Sequence, residues 1–452
     1  MKQLKRRALF VLFFAGLLAV GCVIFCGLLV RNGGQWASSS VNQNAYSGGS
    51  LAMGQVYDRT GLLLYDCASG SYAEGANLRR STLHLIGDRQ GNIATGAKKL
   101  FVQELVGYHP ITGLSEQGNR VYLTVDGDLN RTAYKALKGR SGVVAVYNYL
   151  TGEVVCLVSA PSFDPIDEVE VTAVANGDSS YSGAYLNRFY SSVYTPGSVF
   201  KVVTAAAALE TLDTDHFTFT CTGSFAIGGD SVTCPGAHGE LNFEQALCYS
   251  CNGAFAQLAL ELGGDVLADY AEKAGLLEGF DLHGRTTAAG SFAVADDNTI
   301  DLGWSGAGQY KTLVSPAAML TLMGCIAGDG TAAQPRLLMK VTTPEGLPAA
   351  IVTRDQTAIG WDEATCIKLQ EMMRGNVTEN YGQKQFGDLA VCAKSGTAEV
   401  GSDVKPHAWF AGFVDDTEHP YAFVVLVEHG GWGSSAAGSI AAEVLQQLCE
   451  EG

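Results

Sequence analysis

The chain has 452 residues, 47% hydrophobic and 17% charged, enough to build two or more domains with proper cores. A net charge of −17 at pH 7 argues against nucleic acid as a partner. The charge is uneven, however, because the opening "MKQLKRR" (1–7) is basic and is followed by "ALFVLFFAGLLAVGCVIFCGLLV" (8–30), which carries none.

That apolar run is long enough to cross a hydrocarbon core of about 30 Å as a helix. A cleaved signal would want a shorter core and a small-residue site, which "LLVRNGGQW" does not offer. A lipoprotein signal ending at Cys22 would not need eight further apolar residues. A single permanent anchor is therefore expected. The basic tail lies in the cytoplasm by the positive-inside rule, and the rest of the chain lies outside. Residues 31–50 read as a flexible Gly/Ser/Asn tether, and 51–118 as a small mixed region with weak periodicity. Residues 119–452 form the larger unit.

This unit opens with a helical pattern in "DGDLNRTAYKALKG". Its Asp126, Asp128 and Asn130 imitate a calcium loop, but Arg131 stands where Gly is needed and Leu137 where the bidentate acid is needed, so calcium is rejected. "GVVAVYN" and "GEVVCLVS", joined by "YLTG", read as a hairpin. "LAVCAKSGTAEV", "HAWFAGFVDD" and "YAFVVLVEH" are later strands, and "SIAAEVLQQLCEE" is a closing amphipathic helix. Strands from both ends, with helices between, predict an α+β domain around one antiparallel sheet.

Ten of the twelve cysteines lie beyond the apolar run. Cys221 and Cys234 bracket a predicted hairpin and could be bridged. Adding Cys248 and Cys251 gives a four-thiolate set with only one C-x-x-C half, which argues against structural zinc. Free thiols are the default, and no metal or cofactor is expected.

Chemistry concentrates in three short motifs. In "YTPGSVFKVVTAAAALE", Ser198 and Lys201 share a helix face among apolar neighbours. A serine needs a base, and lysine serves as one only when desolvation or a second cation keeps it neutral. The motif alone is weak, since Ser402 and Lys405 repeat it in a polar loop. "CYSCNGAF" adds Ser250 and Asn252, which taken alone would simply cap a helix; Ser40 and Asn42 repeat that spacing. In "AKSGT", Lys394, Ser395, Gly396 and Thr397 interrupt an apolar strand. There a Gly permits close backbone approach, and hydroxyls beside a lysine suit a carboxylate.

In this order S-x-x-K, S-x-N and K-[ST]-G are the signatures of the penicillin-recognising serine enzymes. From residue 51 onward the chain resembles the class B high-molecular-weight penicillin-binding proteins, the monofunctional D,D-transpeptidases of peptidoglycan. "GQVYDRTGLLLYD", "VYLTVDGDLNRTAYKAL", "TGEVVCLVSAPSFDP", "LNRFYSSVYTPGSVFK" and "HGELNFEQALCYSCNGAF" follow in the expected order. The resemblance implies the penicillin-binding/β-lactamase-like fold, a reduced pedestal over 51–118 and a transpeptidase domain over 119–452. It implies Ser198 as nucleophile, Lys201 as its base and Ser250 as proton relay. Lys394 sets the electrostatics, Asn252 holds the acyl-side amide, and Ser395 and Thr397 grip the terminal carboxylate. Backbone N–H groups of Ser198 and Thr397 form the oxyanion hole, with Gly396 between the two gripping residues. Substrate stem peptides, inhibitory β-lactams, a membrane glycosyltransferase and division or elongation proteins are the implied partners. The departures are Met53 in place of an arginine, "GAGQYKTLVSP" in place of G-Q-G and T-P, and the short region before the catalytic unit. A β-lactamase, a β-lactam sensor and an inactive membrane scaffold are the alternatives; the intact motif residues argue against the scaffold.

Overall fold

The computed structural model describes residues 2–38, 52–109, 113–114, 117–296, 299–401 and 403–450. Helix α1 (Lys2–Ser38) contains the apolar run, and its stretch Gln3–Leu29 is long and apolar enough to cross a membrane. The helix continues through Gly33 and Gly34 into the segment expected to be a tether. Glycine weakens a helix by about 1 kcal/mol without forbidding it. Residues 39–50 of that tether lie outside the described residues.

Strands β1 (Gln55–Tyr57), β2 (Leu63–Asp66) and β3 (Ser71–Tyr72) precede helix α2 (Ala76–Ile86). Strand β4 (Arg120–Leu123) leads into helix α3 (Gly127–Ala136), and the hairpin β5 (Gly142–Asn148) and β6 (Val154–Ala160) follows. Asp126 stands at the start of that helix. It is the N-cap of α3, its carboxylate accepting from the Asp128 and Leu129 N–H groups.

The middle of the chain is helical. A 3₁₀ turn (Gly197–Phe200) runs into helix α4 (Lys201–Thr211). Four short strands follow, β7 (Thr218–Cys221), β8 (Ser224–Ile227), β9 (Asp230–Thr233) and β10 (Gly239–Asn242). Helices α5 (Phe243–Cys248), α6 (Asn252–Leu262) and α7 (Pro316–Ala327) come next. The chain then forms β11 (Leu338–Thr342), helix α8 (Glu363–Gly375), strands β12 (Val391–Ala398), β13 (His407–Val414) and β14 (Tyr421–Val427), and helix α9 (Gly438–Glu450).

The main sheet has the order β12-β13-β14-β5-β6, antiparallel throughout, so both ends of the unit meet in it as expected. Alternation along β5 divides its side chains between two cores. Val144 and Val146 pack with Leu129 and Ala133 of α3 and Ile440 and Val444 of α9. Val143, Ala145 and Tyr147 face the other core, with Met319 and Met323 of α7. Burial on both faces explains why these strands read as unbroken apolar runs.

A second five-stranded sheet, β11-β4-β1-β2-β3, draws strands from both sides of residue 118. Its joint to the larger unit is the D-R-x-G segment. Asp58 Oδ1 accepts from the N–H groups of Thr60 (2.9 Å) and Leu62 (2.8 Å), and Oδ2 from Gly127 N–H (3.1 Å) at the start of α3. Gly61 takes φ +91 in that turn. Arg79 meets Asp164 of the "SFDP" stretch through two bonds, 2.8 and 2.6 Å.

Candidate active site

The three motifs come from three separate elements and converge. Ser198 lies in the 3₁₀ turn before α4 rather than in a regular helix, a common way for an α-helix to begin. Gly197 adopts φ +55, and a Cβ there would stand 2.8 Å from Thr397 O. Gly396 makes the reciprocal approach from β12, because a Cβ on it would lie 2.7 Å from Pro196 O. These two glycines allow the strand to pass against the serine turn, as the strand-interior Gly suggested. Trp409 and the Arg188–Glu428 pair brace the same turn from the sheet side. The indole N–H donates to Thr195 O (3.0 Å), and Glu428 accepts from Arg188 and Tyr194 at 2.7 Å each.

Lys201 is fully buried, and its Nζ donates to Ser250 O and Asn252 Oδ1, both at 2.7 Å, with Ser250 Oγ at 3.2 Å. Burial, reinforced by the charge of Lys394, holds its pKa well below the lysine range. In the neutral amine two hydrogens go to the two carbonyl-type acceptors, leaving the lone pair free for a hydroxyl proton.

Ser250 and Asn252 do not cap a helix by themselves. Cys251 is the N-cap of α6, its sulfur accepting from Ala254 N–H, while Ser250 is held at φ +55. That conformation is uncommon for a residue with a side chain. It turns the Ser250 hydroxyl toward two lysines, with Lys394 Nζ 3.0 Å away.

Lys394 is also fully buried, and burial pushes its pKa down to about 7. Besides Ser250 it donates to Ser395 O (3.0 Å) and to the Tyr381 hydroxyl (3.2 Å). Tyr381 closes a π-helical turn, Asn376–Tyr381, and also lies 3.1 Å from Ser395 N and 3.0 Å from Ser395 Oγ. No motif marks it in "NVTENYGQ", and sequence reasoning missed it.

Ser198, Ser250, Asn252, Ser395 and Thr397 line one cleft of about 270 Å³. Its rim carries Trp304 and Trp432, neither singled out from the sequence. Thr397 Oγ1 accepts from Gly433 N–H (3.3 Å), and Gln309 of the divergent "GAGQYKTLVSP" stretch donates to Thr397 O (3.4 Å). Of the competing S-x-x-K, Lys405 is exposed, and Ser402 lies outside the described residues, as do Ser40 and Asn42.

Residues 142–450 match the Penicillin binding protein transpeptidase domain, two thirds of the chain. The chain belongs to the penicillin-binding protein transpeptidase family. Among curated relatives, peptidoglycan D,D-transpeptidase PbpA of Mycobacterium tuberculosis is 27% identical over 384 residues, spanning 78% of this chain and 76% of that protein. PbpA of Mycolicibacterium smegmatis is 29% identical over 371 residues, spanning 75% and 73%. The imipenem acyl-enzyme complex of penicillin-binding protein A from M. tuberculosis superposes with a TM-score of 0.77 at 25% identity, covering 88% of this chain and 99% of that one. The class B transpeptidase resemblance drawn from the motifs therefore stands.

The cysteines follow the default reading of free thiols. All twelve are free, so Cys221 and Cys234 are not bridged. The predicted hairpin between them exists as β8–β9, with Gly228 and Gly229 at its tip. Cys221, however, ends β7, which pairs with β10, and Cys234 faces Cys251 at 3.8 Å instead. The four-thiolate grouping with Cys248, already disfavoured by its spacing, does not come together. Cys248 closes α5 with its sulfur toward Gly375 O, whereas Cys251 lies beyond the Ser250 turn and joins Cys221, Cys234 and His238.

Proposed function

We propose that the chain cross-links peptidoglycan as a serine D,D-transpeptidase, with Ser198 attacking the D-Ala–D-Ala carbonyl of a stem peptide. The observation that carries this reading is the Lys201 amine. It is dry, flanked by a second buried lysine, and has both hydrogens engaged by fixed acceptors. Its lone pair takes the Ser198 proton as the Oγ–C bond forms. The oxyanion rests on the Ser198 and Thr397 N–H groups, brought together by the Gly197–Gly396 approach. Collapse of the intermediate breaks the C–N bond, and the proton held on Lys201 passes through Ser250 to the departing D-alanine. Lys394, beside Ser250, lines that relay, and its protonated form, present near pH 7 and below, disfavours charge on Lys201. Asn252 holds the acyl-side amide, while Ser395 and Thr397 bind the terminal carboxylate. An amine from a neighbouring strand attacks the acyl-enzyme, releasing Ser198 and forming the cross-link. A β-lactam acylates the same serine and stays.

The apolar part of α1 anchors the chain with residues 1–7 in the cytoplasm and the catalytic unit outside. Polymerisation of the glycan falls to a separate membrane glycosyltransferase. The anionic chain meets anionic wall polymers by capture in the cleft rather than by long-range attraction.

The test is the intact mass of the detergent-purified full chain after benzylpenicillin, beside Ser198→Ala. A persistent adduct on the parent alone is expected. A transient adduct that clears by hydrolysis would move the reading to a β-lactamase. A folded parent with no adduct would end the enzyme reading for this ligand class.

A further inference from the structure

Cys221, Cys234, His238 and Cys251 are far from adjacent in the sequence, yet their Sγ and ring nitrogen atoms all lie within 4.8 Å of one another. Each comes from a different place. Cys221 ends β7, Cys234 follows β9, His238 precedes β10, and Cys251 caps α6. Two of the edges have the lengths of a metal tetrahedron. The Cys234–Cys251 sulfurs are 3.8 Å apart. Zn–S bonds of about 2.3 Å at a tetrahedral angle separate two sulfurs by about 3.8 Å. His238 Nδ1 lies 3.3 Å from Cys221 Sγ. The corresponding nitrogen–sulfur edge is about 3.5 Å.

The surroundings favour thiolates. Gly253 N–H donates to Cys234 Sγ (3.4 Å) and Ala254 N–H to Cys251 Sγ (3.5 Å), both from the first turn of α6. Peptide donors of this kind orient and stabilise metal-bound sulfur. A disulfide between Cys234 and Cys251 would use only two of the four groups and leave Cys221 and His238 aimed at the same point. Three sulfurs and one imidazole select zinc over the hard, oxygen-loving cations.

We propose that these four residues bind one zinc ion in a closed structural site, and that the ion holds the S-x-N turn in its working shape. Four protein ligands fill a tetrahedron, so the ion takes no part in bond making. Its influence passes through Cys251, which sits between Ser250 and Asn252. Asn252 Nδ2 donates to Thr233 O (2.8 Å), next to Cys234, and its Oδ1 and the Ser250 carbonyl are the two acceptors that fix Lys201. The unfavourable φ of Ser250 persists only if its neighbours over-determine it, and a metal on the next residue does so. Zinc binding stands on the cluster alone, whereas its effect on Lys201 rests on the transpeptidase reading.

The experiment measures metal and acylation separately on the full chain in detergent. Elemental analysis after zinc loading and desalting should find one zinc per chain. Cobalt substitution should give thiolate-to-cobalt charge transfer with tetrahedral d–d bands. Cys221→Ser and His238→Ala should lose the metal, whereas His238→Cys and Cys248→Ser should keep it. Stripping the zinc should slow acylation by a fluorescent penicillin about 10-fold, with recovery on adding zinc back. A parent chain that binds neither zinc nor cobalt overturns the site whether or not any variant folds. So does a Cys234–Cys251 disulfide in the non-reduced peptide map. Zinc bound with acylation unchanged on its removal overturns the link to the S-x-N turn. Zinc bound to a chain that never acylates sinks the transpeptidase reading and leaves the metal site standing.

Discussion

At the scale of single residues, the buried lysines carry the most exposed commitment. Lys394 titrates near 7 in the folded chain and near its ordinary 10.5 when unfolded. Between those values the unfolded chain binds one proton more, so stability rises with pH and the benefit is lost as pH falls toward 7. Lys394→Met removes that contribution while Lys201 remains. Denaturant unfolding of both chains from pH 7.5 to 9 should show slopes differing by about 1.4 kcal/mol per pH unit, the parent steeper. Parallel slopes would mean that Lys394 is not neutralised by burial. These lysines were legible in the sequence because a charge among Val199, Phe200, Val202 and Val203, or inside an apolar strand, needs a reason. Tyr381 was not, because its hydroxyl reaches Lys394 only through a π-helical turn that no local pattern announces. The grouping of Cys221, Cys234, His238 and Cys251 was hidden differently. The one C-x-x-C nearby misdirects, because it spans the break between α5 and α6 and only Cys251 joins the cluster, while Cys248 turns its sulfur toward Gly375 O.

At the scale of elements, the site depends on β12 lying against the serine turn, and Gly396 decides that contact. Its virtual Cβ meets Pro196 O at 2.7 Å, Trp409 Cβ at 3.1 Å and Val199 Cγ1 at 3.1 Å. One of these is backbone and the others belong to a fully buried core, so none yields easily. Gly396→Ala should destabilise the fold by about 1–3 kcal/mol, the usual range for overpacking. It should also lower the acylation rate by more than its stability loss alone would, since strand and turn are forced apart. Unfolding midpoints and stopped-flow acylation by a fluorescent penicillin check both parts, and an alanine variant acylating at the parental rate would refute the second. The strands themselves were legible because burial on two faces leaves runs such as "GVVAVYN" and "YAFVVLV". The second sheet was not. Strands of two to five residues, one of them contributed by Leu338–Thr342 far along the chain, leave no periodicity to read.

Over the whole molecule, two chemically different parts share one chain. In α1, Leu9, Phe10, Leu12 and Phe14 are all more than 60% exposed, whereas the main sheet is closed on both faces by its own helices. A helix so exposed and uncharged over this length is at home in hydrocarbon, where its backbone is satisfied internally. The two buried cores draw on none of its residues, and the three motifs meet through elements beyond residue 186. The catalytic unit should therefore not depend on the anchor for its geometry. Deleting residues 1–38 should move the protein from the membrane fraction to the soluble fraction. It should leave acylation by a fluorescent penicillin within about twofold of the full chain, the scale of a few tenths of a kcal/mol in the barrier. A truncated chain that stays with the membrane would show a second membrane-binding surface on the catalytic unit. A soluble, folded chain with acylation reduced tenfold or more would show instead that the anchor, or the bilayer around it, helps to set the positions of Ser198 and Lys201.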